Sequence, residues 1–139
     1  MSKTLSRGAP FQFRLDLRSG VPVYRQIIDQ VLAAIASQTL GPGDRLPTVR
    51  QVAVDLSINI NTVVRAYKEL EIRGVLATQQ GTGTFITDQD VKRDESERQR
   101  RLSRLVGDLL ARAGAEGFTL ADVRRALDDA APDADTKRR

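Results

Sequence analysis

The chain of 139 residues contains no Cys, no His and no Trp. Zinc fingers, Cys–His catalysis and Ser–His–Asp triads are therefore excluded. A metal site would need carboxylates alone, and no closely spaced Asp/Glu cluster occurs before residue 90; neither a metal nor another cofactor is expected. The missing cysteines fit a reducing compartment. No run of about twenty apolar residues exists, which excludes a transmembrane helix. The opening MSKTLSRGAPFQF has basic residues but lacks the continuous apolar stretch of a secretory signal. A cytoplasmic location follows as the default. Aromatic residues are scarce as well, four Phe and two Tyr.

What remains is 40% hydrophobic, enough for one modest domain or a small domain with an appended element. Lys and Arg total 22 against 18 Asp and Glu, a net charge of +4, which leans weakly toward an anionic partner. The excess sits mainly in residues 1–88, with ten basic and seven acidic groups; residues 89–139 hold twelve and eleven.

Residues 1–10 are polar, with Gly8 and Pro10, and are expected to be disordered. FQFRLDL (11–17) alternates apolar and polar residues as a half-buried strand would. After Arg18-Ser-Gly20, Pro22 suits a first helical position. Tyr24, Ile27, Ile28, Val31, Leu32 and Ile35 then form a helical stripe over 22–37, broken by GPGD (41–44). Thr48 can cap a second helix with Val49, Val52, Ala53 and Leu56 inward. Asn59 caps a third, which Gly74 stops. VLATQ (75–79), QGTG (80–83) and TFIT (84–87) read as a hairpin. Beyond a charged stretch from Asp88 to Gln99, Leu102, Leu105, Val106, Leu109 and Leu110 make another amphipathic stripe. Thr119, with Asp122 as a capping-box-like partner, begins a last helix carrying Leu120, Val123 and Leu127. Residues 131–139 form a charged tail.

The predicted fold is mainly α with a small β-hairpin wing. A winged helix-turn-helix spans residues 11–87 and a two-helix segment spans 88–130. In a winged helix-turn-helix the third helix enters the major groove, N-terminal end first. On NINTVVRAYKELEIRG (59–74), Val63, Ala66, Tyr67 and Leu70 share the inner side, while Asn61, Arg65 and Lys68 recur at the same spacings on another face, with Thr62 near the first turn. Asn and Arg suit the donor and acceptor pairs on adenine and guanine edges. Tyr24 and Tyr67 are assigned to the core.

VPVYRQI (21–27), PGDRLPTVR (42–50), NTVVRAYKEL (61–70) and GTGTFI (81–86) resemble the GntR family of bacterial transcriptional regulators. The resemblance covers residues 11–87, and the short helical C-terminal segment is similar to the YtrA subfamily, whose members use it to dimerise. It implies DNA contact by Thr48 and Arg50 around the start of the second helix, by Asn61, Thr62 and Arg65 on the third, and by Gln80, Gly81 and Thr82 at the wing tip beside the minor groove. Arg45, Asn59, Lys68 and Gly83, which neighbour these positions, are further DNA-binding candidates. Ile60 stands where many relatives carry an arginine that reads the site and YtrA-like members often carry proline; an isoleucine there offers at most an apolar contact with a thymine methyl. Gln38 and Ser57 stand where glycine is usual, and positive φ at either costs on the order of 1 kcal/mol.

The same residues admit plainer roles. Arg50 alone could be a solvated helix charge, and Arg65 and Lys68 could pair with Glu69 or Glu71. GTGT lacks the spacing of a nucleotide-binding phosphate loop. The stripes formed by Leu102, Leu105, Val106, Leu109 and Leu110, and by Leu120, Val123 and Leu127, call for a partner subunit or for packing back on the first domain. The expected function is a sequence-specific transcriptional regulator, a repressor that binds a palindromic double-stranded DNA operator as a homodimer. A winged-helix protein-interaction adaptor is the alternative. An enzyme is not expected, and the existence of a small-molecule effector stays open.

Overall fold

A computed structural model describes residues 11–88 and 94–130. The expected disorder of residues 1–10, the tail 131–139 and part of the charged stretch after Asp88 lie outside the described residues. The chain divides into two compact units, Met1–Gln89 and Asp90–Arg139.

The first unit contains α1 (Val23–Ala36), β1 (Arg45–Leu46), α2 (Val49–Leu56), α3 (Ile60–Ile72), β2 (Leu76–Gln79) and β3 (Gly83–Ile86). The apolar stripes read from the sequence become its core. Ile27, Ile28, Val31 and Ala34 of α1 meet Val52 and Ala53 of α2 and Val63, Ala66, Tyr67 and Leu70 of α3 in one buried cluster, closed by Leu46, Leu76 and Ile86 from the strands. Thr48 caps α2 by accepting from Gln51 N at 3.0 Å. Asn59 caps α3 by accepting from Asn61 N at 2.8 Å.

One strand expectation needs correction, and one strand was not foreseen. Residues 11–16 form no regular element and pair with no strand, and Leu17 already belongs to a turn. The side-chain amides of Gln26 and Gln30, one turn apart on α1, take the place of a neighbouring strand: Arg14 N donates to Gln30 Oε1 at 2.9 Å and Asp16 N to Gln26 Oε1 at 2.9 Å, while Gln26 Nε2 donates back to Asp16 O at 2.9 Å. Alternate backbone groups are satisfied by a helix surface, so the segment can bury Phe13 without joining a sheet. Conversely, Arg45–Leu46 pairs antiparallel with β3, opposite Phe85 and Thr84, so the hairpin belongs to a three-stranded sheet of order β1-β3-β2.

Helices α1, α2 and α3 all end in the paired-bond turn that requires a left-handed residue. At α1, Gln38 N donates to Ile35 O and Thr39 N to Ala34 O; at α2, Ser57 N donates to Val54 O and Ile58 N to Ala53 O; at α3, Gly74 N donates to Glu71 O and Val75 N to Leu70 O. Gln38 (φ 64°) and Ser57 (φ 55°) thus hold the strained conformation that Gly74 (φ 78°) adopts freely.

The second unit consists of α4 (Glu95–Ala115) and α5 (Leu120–Ala130). Local terms hold each helix. Asp94 caps α4 by accepting from Ser96 N at 3.1 Å, and Glu97 pairs with Arg101 at 3.0 Å. Gly117 (φ 89°) turns the chain in the same paired-bond motif. Thr119 and Asp122 complete the expected capping box: Thr119 N donates to Asp122 Oδ2 at 2.9 Å and Asp122 N to Thr119 Oγ1 at 3.2 Å. Donation from the Thr119 backbone N–H, and then from its side chain, holds the Asp122 carboxyl below the usual carboxylate range. Neither helix has a buried residue.

Candidate nucleic-acid interface

An open groove of about 610 Å³ runs between α3, the N-terminus of α2 and the β2–β3 hairpin. Its position follows from the core. Because Val63, Ala66, Tyr67 and Leu70 face inward, the opposite arc of α3 is left to solvent. Val64 and Lys68 line the groove from α3, Arg45 and Thr48 from the segment before α2, and Gln80 to Gly83 from the hairpin tip.

Two contacts fix the groove walls. Tyr67, buried on α3, donates its hydroxyl to Pro47 O at 2.6 Å, tying α3 to the approach to α2. Burial drives its phenol well above the ordinary range, so it stays a protonated donor. Across the groove, Thr78 of β2 donates to Glu71 of α3 at 2.6 Å, fastening the hairpin to the helix. Thr82 N donates to Gln79 O at 2.9 Å, closing the tip with Gly81 at φ 79°, where a turn needs positive φ. At Gly83 (φ 133°) the need is also spatial, since a Cβ would come within 2.8 Å of Arg45 Nε. Glycine there lets the Arg45 side chain cross the sheet into the groove.

Two cations, Arg45 and Lys68, line this groove, and they share the lack of a described carboxylate partner with Arg14, Arg18, Arg100, Arg104, Arg112 and Arg124 elsewhere. Arg25, Arg73, Arg98, Arg101 and Arg125 each pair with a carboxylate. Among the described residues, Arg45, Arg50, Arg65 and Lys68 form no such pair, and Glu69 and Glu71 are engaged with Arg73 and Thr78 instead. Uncompensated cations on one face create a local positive potential that attracts a polyanion.

Other residues singled out from the sequence fall around this groove rather than in it. Arg50 is exposed on the first turn of α2, Asn61 is exposed on the first turn of α3, and the Asn59 side-chain oxygen is committed to its cap. Thr62 is half-buried and lies about 160° around the helix from Val64 at roughly 100° per residue. Arg65 is exposed, but its guanidinium carbon sits 3.7 Å from the centre of the Tyr24 ring. Tyr24 is therefore half-buried and stacked rather than wholly core. Sequence reasoning missed this partner, and it missed Val64 and the bond of Thr78 to Glu71, a residue that spacing offers as a partner for Arg65 or Lys68. Val64 was findable, because it stands off the buried stripe one turn after Ile60. The Glu71–Thr78 bond crosses a turn that spacing alone does not resolve.

Residues 23–86 match the family described as "Bacterial regulatory proteins, gntR family". The chain is 38% identical over 101 residues to the uncharacterized HTH-type transcriptional regulator YhcF of Bacillus subtilis (strain 168), a match covering 73% of this chain and 75% of that protein. It is 44% identical over 75 residues to the HTH-type transcriptional repressor YtrA of the same organism, covering 54% of this chain and 58% of that protein, less than two thirds of its length. Among solved structures, YtrA from Sulfolobus acidocaldarius, a GntR-family transcription factor, superposes with a TM-score of 0.51 at 32% identity, covering 84% of this chain and 94% of that one.

Proposed function

We infer the task of this chain from its kinship and its open groove: it belongs to the gntR family of bacterial regulatory proteins, in the YtrA-like branch, and is a DNA-binding transcriptional regulator rather than an enzyme. The finer reading is a cytoplasmic homodimeric repressor that occupies a palindromic operator and blocks transcription. The observation that supports DNA contact is the open groove between α3 and the wing, lined by Arg45 and Lys68. As a dimer, the protein presents two copies of α3 about one helical turn of DNA apart, roughly 34 Å. Arg45, Arg50 and Lys68 meet phosphates and set the register, and the helix N-terminus capped by Thr48 adds its dipole. Asn61 and Arg65 read base edges, with Tyr24 holding the guanidinium plane, and Gln80 to Gly83 follow the backbone beside the minor groove.

Dimerisation is assigned to α4 and α5. Leu102, Leu105, Val106, Leu109, Leu120 and Leu127 are exposed, as is Phe118, while Leu110 and Val123 are half-covered. Apolar faces of that extent call for a partner surface. The repressor assignment follows the name of the Bacillus relative YtrA.

Mobility-shift titration of the full chain at several salt concentrations tests the reading. Specific affinity is expected to fall steeply with salt. Arg50→Ala is expected to weaken binding to every sequence similarly and to reduce the salt slope by about one. Salt-insensitive or absent DNA binding would contradict the reading and favour a protein-interaction adaptor.

A further inference from the structure

The solvent arc of α3 is not wholly polar. Ile60 and Val64 are 37% and 41% exposed. They stand one turn apart on a shared face, off the buried stripe. Val64 also lines the groove, with Val49 and Lys68. The core does not need this pair, and β-branched residues are mediocre helix formers on a surface. We propose that Ile60 and Val64 form an apolar reader for the C5-methyl group of thymine, making one or two adjacent thymines in each half-site a determinant of specificity. This rests on the reading that α3 enters the major groove.

Two physical arguments select that occupant. Among the four base-pair edges in the major groove, only thymine presents a methyl group. Neither Ile60 nor Val64 can hydrogen-bond, so a cytosine amine or a guanine acceptor pressed against them would be desolvated without a partner. Selectivity comes from exclusion as much as from attraction. The flanking charge also opposes a second copy of the chain as occupant. Arg45 and Lys68 lie in the same groove with one carboxylate, Glu71, which already accepts from Thr78, so a self-complementary contact there would bring a net excess of like charge together.

The test uses the full chain and a duplex enriched from random DNA, with each thymine replaced in turn by deoxyuridine. That exchange removes one methyl and leaves base pairing unchanged. Wild-type affinity is expected to fall about three- to tenfold at one or two adjacent thymines per half-site, with little effect elsewhere. Val64→Ala should abolish most of the discrimination at one of these positions, and Ile60→Ala at its neighbour, as a double-mutant cycle reads it. Both side chains are exposed, and unchanged melting temperatures would confirm that the variants fold. Specific binding with every deoxyuridine tolerated, or discrimination unaltered in both variants, would overturn the inference. So would variants that change only the sedimentation of the protein, which would give the face to a second copy. Failure to bind any duplex would overturn the parent reading and this one with it.

Discussion

The two units of the chain use the same kind of pattern to opposite ends. In residues 11–88 three amphipathic helices and a small sheet turn their apolar faces toward one another, and every buried hydrophobic residue among those described lies there. In residues 94–130, α4 and α5 carry stripes just as regular, yet Leu105 is 66% exposed and Leu127 57%. Periodicity makes a helix amphipathic; only a facing surface makes its stripe a core. The first unit has that surface within its own sequence. The second rests on caps and short-range ion pairs, which contribute only tenths of a kcal/mol to about 1 kcal/mol each.

The sharpest way to break this contrast is truncation. A chain ending at Asp88 should remain folded, sediment as a monomer and lose operator affinity by about 100-fold or more, as the two-site advantage disappears. A truncated dimer would show that the first unit supplies the interface. Next in size, Leu70→Ala removes a fully buried side chain and should lower unfolding free energy by about 2–5 kcal/mol. Leu105→Ala in the dilute, dissociated protein should change it by no more than about 0.5 kcal/mol while weakening self-association in sedimentation. A smaller effect of opposite sign is expected at the strained turn after α2, where Ser57→Gly should raise the stability of the first unit by up to about 1 kcal/mol in denaturant titration.

The smallest effect concerns pH and belongs to the second unit. Asp122 has its carboxyl pKa lowered by its bonds to Thr119, so its contribution is complete above the unfolded-state pKa and is lost as pH falls through the lower folded value. Acid titration by far-UV circular dichroism should show helix loss in that window, and Asp122→Asn should abolish that step. An unchanged acid profile would mean that the capping box contributes nothing.

Much of this was legible in the residues. The stripes on α1, α2 and α3, the caps at Thr48 and Asn59 and the box at Thr119 and Asp122 are local patterns, and local geometry reproduces them. The strand expected at 11–17 misled because alternation reports which side chains are buried. It does not report what satisfies the backbone, and here Gln26 and Gln30 do so from α1. The pairing of Arg45–Leu46 with β3 was hidden by its length of two residues. At the candidate site, the exposed arc of α3 was readable, but the placement of Arg65 over Tyr24 was not, because it joins residues 41 positions apart through tertiary packing.

The proposed function requires that paired copies of the α3 and wing surface recognise DNA sequence. Incubating the full chain with random double-stranded DNA and sequencing the retained fragments tests it most directly. Enrichment of an inverted repeat is expected, with half-site centres about 10 base pairs, or a multiple of one DNA turn, apart. A retained pool with no sequence in common would contradict it.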